Sequence, residues 1–319
     1  MVAERRAVID VGTNSVKLLV AELTDGGVQP VWEGSKQTRL GSGFYQTRRL
    51  QPAAIAQTAA AVASFASKAR QMQAVAIRVV ATSAAREAVN PGELTSAIHA
   101  ASGLSVDIIS GEREAELAFQ GVTTDAALAT EALLLLDVGG GSTEFILGKA
   151  SHLYFRDSFD LGTVRLMEAV PHSEPPKASE LSRCRSQVRA FLEEQVKPRL
   201  NPILTDPAGP FARPGKQLLV GAGGTATILA RLDAKLAGYD RARIESTRLT
   251  QERVRDLAEQ LWGMALAERR RMEGMPEDRA DVILSGVLIY EGVLNEFQFP
   301  ELRVTTRGLR FAAVMPGAQ

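Results

Sequence analysis

One phrase is written twice in this sequence, and it limits the fold more than any other feature. Val8-Ile9-Asp10-Val11-Gly12-Thr13-Asn14-Ser15 leads into the apolar Leu18-Leu19-Val20. Leu135-Leu136-Asp137-Val138-Gly139-Gly140-Gly141-Ser142-Thr143-Glu144 leads into Phe145-Ile146-Leu147. Each copy is an apolar run, an aspartate, a glycine turn with hydroxyls and a second apolar run, which is the pattern of a β-hairpin. A carboxylate at a strand end beside open backbone N–H groups suits a divalent cation, with the amides holding phosphate oxygens. A single copy is read equally well as an aspartate bonding its own turn. Two copies in the same setting favour function, and imply two related half-domains around a cleft.

A chain of 319 residues can hold two domains of ordinary size. Strands are expected at Ala7–Val11 and Val16–Leu23, with Thr24-Asp25-Gly26-Gly27 as the turn that follows. Apolar residues at helical spacing (Ile55, Ala59, Val62, Phe65, Ala66) predict a helix over Pro52–Met72. Strand Val75–Val80, helix Pro91–Ala101 ending near Gly103, strand Val106–Ile109 and helix Glu112–Gln120 complete an alternating βαβ half. The second half restarts at Leu133–Asp137, with strands at Glu144–Gly148 and Ser151–Asp157. A long polar helix is expected over Ser179–Val196, a proline-containing loop over Asn201–Gly215 and a strand at Gln217–Val220. Thr250 reads as a helix N-cap, Arg279–Asn295 as a helix and Leu302–Val304 as a strand. The boundary between halves falls at Thr123–Thr130.

Several function classes are disfavoured. No apolar run reaches the ~20 residues that span a bilayer. Glu4, Arg5 and Arg6 lead straight into a strand, unlike a signal peptide. One cysteine, Cys184, leaves no intramolecular disulfide. These features predict a cytoplasmic protein with no membrane partner. The formal net charge of zero argues against broad nucleic-acid binding, so a polyanion must be met by a local Arg/Lys cluster. The three histidines have no ligand-like spacing, and no motif supports a Ser, Cys or His nucleophile.

Gly221-Ala222-Gly223-Gly224-Thr225 lies between an expected strand and helix, where glycines let backbone amides approach an anion. It matches neither the Walker pattern nor the dinucleotide fingerprint. Glu114, in Ser110-Gly111-Glu112-Arg113-Glu114-Ala115, begins a helix, where an acid by default complements the dipole. Arg86 and Arg39 are surface residues by default, although arginine's planar fork is the preferred partner of phosphate.

Together the motifs resemble the exopolyphosphatase / guanosine pentaphosphate phosphatase family. Asp10–Ser15, Ala81-Thr82-Ser83-Ala84-Ala85-Arg86, Ile109–Ala115, Asp137–Glu144, Leu161-Gly162-Thr163-Val164-Arg165 and Gly221–Thr225 occur in that family's order. Gly274–Asp281 and Arg307-Gly308-Leu309-Arg310 extend the match. The resemblance implies an α/β architecture of two actin-like, ribonuclease H-like domains in the family's short form. Residues 1–124 with 302–319 would form the first domain and 125–301 the second. It implies hydrolysis of the terminal phosphate of inorganic polyphosphate or of guanosine pentaphosphate, with Mg²⁺ as cofactor. A small-molecule kinase of the same fold and a non-catalytic alarmone sensor are the rivals. Glu114 would be the catalytic base, with Arg86 on the terminal phosphate. Asp10, Asp137 and Glu144 would hold the metal. Gly12, Thr13, Asn14, Ser15 and Arg39, then Gly139, Gly140, Gly141, Ser142 and Thr143, then Gly223, Gly224 and Thr225, would bind phosphate. Arg113 stands where the family often has a second glutamate. A homodimer is the expected assembly.

Overall fold

Both copies of the repeated phrase fold as β-hairpins in the computed structural model, which describes residues 4–24, 27–211 and 217–317. Asp25 and Gly26 of the expected turn, and 212–215 of the expected loop, lie outside the described residues. The chain divides into unit 1, residues 1–126 and 307–319, and unit 2, residues 127–306.

In unit 1, β1 (Glu4–Val11) pairs antiparallel with β2 (Ser15–Thr24), and β2 with β3 (Gly27–Gln37). On its other side β1 runs parallel to β4 (Ala76–Ala81), and β4 to β5 (Val106–Ile108), giving the order β3-β2-β1-β4-β5. Helices α1 (Phe44–Thr47), α2 (Pro52–Gln71), α3 (Ser83–Glu87), α4 (Pro91–Ser102) and α5 (Gly111–Val122) make the connections. Period-2 alternation sorts the sheet into two faces. Ala7, Ile9 and Val11 enter a core with the Ile55, Val62 and Phe65 stripe of α2 and with Leu94 and Ile98 of α4. Val8, Leu19 and Val80 turn to the other face, against Leu117 of α5. Strand β3 is poorly marked in the sequence because Pro30 and Gly34 interrupt it. It forms at the sheet edge, where a missing donor is tolerated, with an irregularity at Val20/Ala21.

Unit 2 repeats this plan. Strands β6 (Ala132–Val138), β7 (Thr143–Lys149) and β8 (His152–Phe159) form an antiparallel meander. Helices α6 (Thr163–Ala169), α7 (Ala178–Phe191) and α8 (Lys197–Leu204) lead to β9 (Leu218–Ala222), parallel to β6. Then come α9 (Gly223–Asp233), α10 (Arg241–Ser246), β10 (Arg248–Thr250), α11 (Gln251–Trp262), α12 (Leu266–Arg269), α13 (Ile283–Glu296) and β11 (Glu301–Val304). The order is β10-β11-β9-β6-β7-β8, so β8-β7-β6-β9-β11 matches β3-β2-β1-β4-β5 in order and direction. Helix α14 (Leu309–Ala313) returns to unit 1, where Leu309, Phe311 and Val314 pack beside Leu117 of α5.

The structure differs from expectation in places. Leu302–Val304 pairs with β9 and so belongs to unit 2, and the return to unit 1 begins at Arg307 rather than 302. The polar helix is α-helical only to Phe191, then π-helical over Leu192–Val196. The expected loop opens as α8, with Pro198 in its first turn, where no donor is needed, and Pro202 inside it. The capping expectations are met. Thr250 accepts from the Arg253 N–H at 3.1 Å, and Gly103, at φ 73°, ends α4. Among the described residues, no helix is long and apolar enough to cross a membrane.

Candidate active site

The two hairpin turns close alike. The Gly12 N–H donates to the Ser15 carbonyl at 3.0 Å and the Gly139 N–H to the Ser142 carbonyl at 2.9 Å. Asp10 and Asp137 each occupy the penultimate position of their strand. The residue directly across from Asp10 is Lys17, and the one directly across from Asp137 is Glu144.

In unit 1 the first turn is held by the chain that follows β3. The Thr38 and Arg39 N–H groups donate to the Asn14 carbonyl at 3.1 and 3.0 Å, and that of Gly41 to the Thr13 carbonyl at 2.8 Å. A Cβ on Gly41 would lie 2.3 Å from Thr13 Cγ2, so glycine is needed for this approach. Arg39 is left-handed, at φ 48°. Thr13, Asn14 and Ser15 are buried, and Asn14 Nδ2 has no partner among the described residues. The strand ends line up beside this turn, with the Thr82 N–H on the Val11 carbonyl (3.2 Å) and the Ile109 N–H on the Ala81 carbonyl (3.1 Å). Ser110 caps α5 by accepting from the Arg113 N–H at 3.1 Å, which sets Glu114 in the opening turns. Arg86 Nη1 donates to both the Ile109 carbonyl (3.1 Å) and Glu114 Oε2 (2.9 Å). The two side chains are 24 % and 13 % exposed, so this is a largely sequestered ion pair. Arg86 Nε and Nη2 make no hydrogen bond among the described residues, which leaves one edge of the fork for an anion. Arg113 bonds Glu116 at 2.7 Å, three residues along the helix.

In unit 2 the glycine turn is pinned from behind. The Thr163 N–H donates to the Gly139 carbonyl at 3.0 Å, and those of Val164 and Arg165 to the Gly140 carbonyl at 2.9 and 3.1 Å. Arg165 Nε donates to the Gly141 carbonyl at 2.7 Å. With these carbonyls turned toward α6, the Gly140 and Gly141 N–H groups make no hydrogen bond among the described residues. Gly162 permits the contact, since a Cβ there would lie 2.4 Å from the Gly140 oxygen. Glu144 is buried, and its Oε1 accepts from Ser142 Oγ and Ser158 Oγ, both at 2.8 Å. Thr143 Oγ1 donates to the Leu161 carbonyl. Gly223 opens α9 at φ 79°, and a Cβ there would stand 2.3 Å from Asp137 Oδ1. Asp137 therefore lies against the N-terminus of α9, where the helix dipole favours negative charge. Thr225 Oγ1 donates to the Val138 carbonyl and Tyr290 OH to that of Ala222, both at 3.3 Å. Burial first, then the Asp137 charge, push the Tyr290 phenol well above its ordinary range, so it remains a neutral donor.

The comparison with known proteins gives this geometry a setting. Residues 19–314 match the Ppx/GppA phosphatase family. The chain belongs to that family. It is 34% identical to exopolyphosphatase 2 of Mycobacterium tuberculosis, over 93% of this chain and 92% of that protein. It is 28% identical to a guanosine-5'-triphosphate,3'-diphosphate pyrophosphatase of Vibrio cholerae, over 95% of this chain but 57% of that one. Among solved structures, an exopolyphosphatase from Cytophaga hutchinsonii superposes with a TM-score of 0.84 at 25% identity, covering 97% of this chain and 96% of that one. The Aquifex aeolicus PPX-GPPA enzyme gives 0.76 at 28% identity, covering 97% and 98%. The repeated five-strand order is thus the actin-like α/β architecture of this family.

Unit 1 brings Asp10, Gly12–Ser15, Arg39, Arg86 and Glu114 to one end of its strands, the end where β1, β4 and β5 finish. Unit 2 does the same with Asp137, Gly139–Thr143, Glu144 and Gly223–Thr225. Among the described residues no group of three or more His, Cys, Asp or Glu side chains forms a ligand cluster. Asp137 and Glu144 are a facing pair of hard oxygen donors, and Mg²⁺ is commonly bound through one or two carboxylates plus substrate phosphates, so the pair fits that ion. Sequence reasoning missed Arg165, Ser158 and Tyr290. The Leu161–Arg165 motif was a signal for Arg165, but its role depends on α6 docking behind the glycine turn.

Proposed function

We propose that this chain hydrolyses the terminal phosphoanhydride of inorganic polyphosphate and releases orthophosphate. The observation that carries the reading is Arg86, which holds Glu114 with one nitrogen while its other edge is open to a phosphate. That arrangement sets a proton acceptor beside an anion site. Water attacks the terminal phosphorus, the anhydride P–O bond breaks, Glu114 takes the water proton, and the shortened chain leaves with the bond's electron pair. The Gly140, Gly141 and Gly223–Thr225 amides would neutralise phosphate oxygens without reorganising. A magnesium ion held by Asp137 and Glu144 would add charge screening. The similarity to an exopolyphosphatase over 92% of its length, against 57% for the pyrophosphatase, supports polyphosphate as substrate. A cytoplasmic location and a homodimer belong to the same proposal, tested by cell fractionation and by mass in solution.

The deciding experiment gives the purified protein and Mg²⁺ long-chain polyphosphate, guanosine pentaphosphate, or ATP with a sugar. Free phosphate from polyphosphate is expected. Preferential release from the nucleotide would make it the alarmone phosphatase, and transfer to the sugar a kinase. Glu114→Gln keeps the shape and removes the base, so kcat should fall roughly 10²–10⁴-fold with an unchanged melt. Full activity in that variant refutes the assignment.

A further inference from the structure

Helix α13 passes behind the glycine turn of unit 2, and one of its residues meets both helices that hold that turn. A Cβ on Gly286 would fall 2.5 Å from Thr225 Cγ2, 3.3 Å from Thr225 Oγ1 and 3.3 Å from Thr163 Cγ2. Thr163 opens α6, Thr225 lies in the first turn of α9, and both are buried. Each grips the turn. Thr225 Oγ1 donates to the Val138 carbonyl at 3.3 Å, and the Thr163 N–H donates to the Gly139 carbonyl at 3.0 Å. Two consecutive carbonyls are thus held from two different helices, and Gly286 backs both threonines. Four residues further along the same face of α13, Tyr290 OH donates to the carbonyl of Ala222, the register partner of Asp137. Glycine weakens a helix interior relative to alanine, so Gly286 inside α13 carries a cost, and its neighbours supply the reason for it.

The contact has no room to yield. The 2.5 Å approach is 0.5 Å inside the 3.0 Å floor for real Cβ contacts. Thr225 gives way only at a loss, because Cγ2 and Oγ1 turn together about one stiff χ1 torsion. Rotating the methyl away takes the hydroxyl off the Val138 carbonyl. Shifting α9 instead carries Gly223 and Gly224 with it, so either response reaches an amide-bearing turn. We propose that Gly286 is a positioning residue: by admitting α13 against Thr163 and Thr225 it sets the glycine turn, and with it the Gly140 and Gly141 N–H groups, for a phosphate. The proposal rests on the phosphoanhydrolase reading for the phosphate, and its structural half is tested without any substrate.

Hydrogen exchange read by mass spectrometry follows the turn directly. The Thr163, Val164 and Arg165 amides are bonded to the Gly139 and Gly140 carbonyls, so peptides holding 139–145 and 161–168 report the grip. Gly286→Ala should speed exchange in both peptides roughly tenfold. It should also lower kcat/KM for polyphosphate roughly 10- to 100-fold, as the displacement of positioned groups does. Thr225→Ser removes the methyl and keeps the hydroxyl, so in that background the same Gly286→Ala change should cost less than about threefold. Gly292→Ala is the control for crowding alone. It lies on the same helix, but its Cβ would fall 2.8 Å from Val188 Cγ1 and 3.1 Å from Leu192 Cδ1, away from the turn. It should lower the melting temperature and leave kcat, KM and the exchange of both peptides at wild-type values. Wild-type exchange and kcat/KM in Gly286→Ala, an undiminished loss in the Thr225→Ser background, or an equal kinetic loss in Gly292→Ala overturns the proposal. Should Gly286→Ala lack native circular dichroism, its recovery by Thr225→Ser decides for the contact and failure to recover decides against it. A wild type that hydrolyses none of the phosphoanhydrides overturns the proposed function, and the exchange difference between Gly286→Ala and the wild type still decides the positioning.

Discussion

Replacing Gly223 with alanine should uncouple Asp137 from its place, the Val138 carbonyl being left at an ordinary contact of 3.9 Å. Two strains are introduced at once. The residue sits at φ 79°, where a Cβ raises the backbone energy by roughly 1–2 kcal/mol. The new Cβ would also stand 2.3 Å from Asp137 Oδ1, which is 0.7 Å inside the 3.0 Å floor for real Cβ contacts. The carboxylate or the first turn of α9 must move by about that amount. A 1 Å misplacement of a group that positions reactants can lower turnover about 100-fold, so a displacement of this size should lower kcat on the order of 10- to 100-fold. That corresponds to about 1.4–2.7 kcal/mol of transition-state stabilisation. The backbone strain should lower the melting temperature by about 2–8 °C for a unit of this size. The assay is phosphate release from polyphosphate across an Mg²⁺ titration, beside a thermal melt. Gly224 is the internal comparison, because its φ is ordinary and a Cβ there meets open space. Gly224→Ala should melt no lower than the wild type. A Gly223→Ala enzyme with wild-type kcat and wild-type Mg²⁺ dependence would refute the view that Asp137 must be held against α9.

Gly162→Ala drives a methyl group to 2.4 Å from the Gly140 oxygen, so it should displace the glycine turn. Urea unfolding should show a loss of about 1–3 kcal/mol, typical of overpacking, together with weakened substrate binding. A variant of native stability and native KM would count against the pinning role of α6. The Cys184 thiol is pushed up to about 12 by burial, which outweighs the opposing charge of Arg183. It should therefore remain a protonated, shielded thiol at pH 8. A chromogenic disulfide reagent should leave it unlabelled in the native protein and modify it fully in denaturant; rapid native labelling would contradict that.

Much of the local structure of the candidate site was legible because its parts lie close in sequence. The hairpin turns, the glycine run after β9 and the cap of α5 each lie within about ten residues of sequence, and turn chemistry marks such segments. The Arg86–Glu114 pair is different. It spans 28 positions and exists only because β4 and β5 run parallel and end level, which no periodicity reveals. The placing of Lys17 across from Asp10 and of Glu144 across from Asp137 was likewise hidden until register was known, since the two copies look alike up to their turns. In the fold, β3 went unmarked because Pro30 and Gly34 read as breakers, a rule that edge position suspends. The expected loop at 201–215 likewise began too early, because α8 continues through Pro202 to Leu204.

The packing of α14 has a consequence for how this chain matures. Gly121 and Gly308 meet so closely that a Cβ on the former would fall 1.9 Å from the carbonyl oxygen of the latter, and Phe311 and Leu309 roof the same apolar layer as Leu117. The helix bearing Glu114 is translated early, but its covering arrives only with the residues after Arg307. On the ribosome, the whole of unit 2 is synthesised in the interval and can collapse first. The N-terminal part of unit 1 keeps that apolar face uncovered until the residues after Arg307 have been made. Order of folding can thereby be inverted relative to order of synthesis, with the helix bearing Glu114 fixed in place only after Leu309 and Phe311 pack against it.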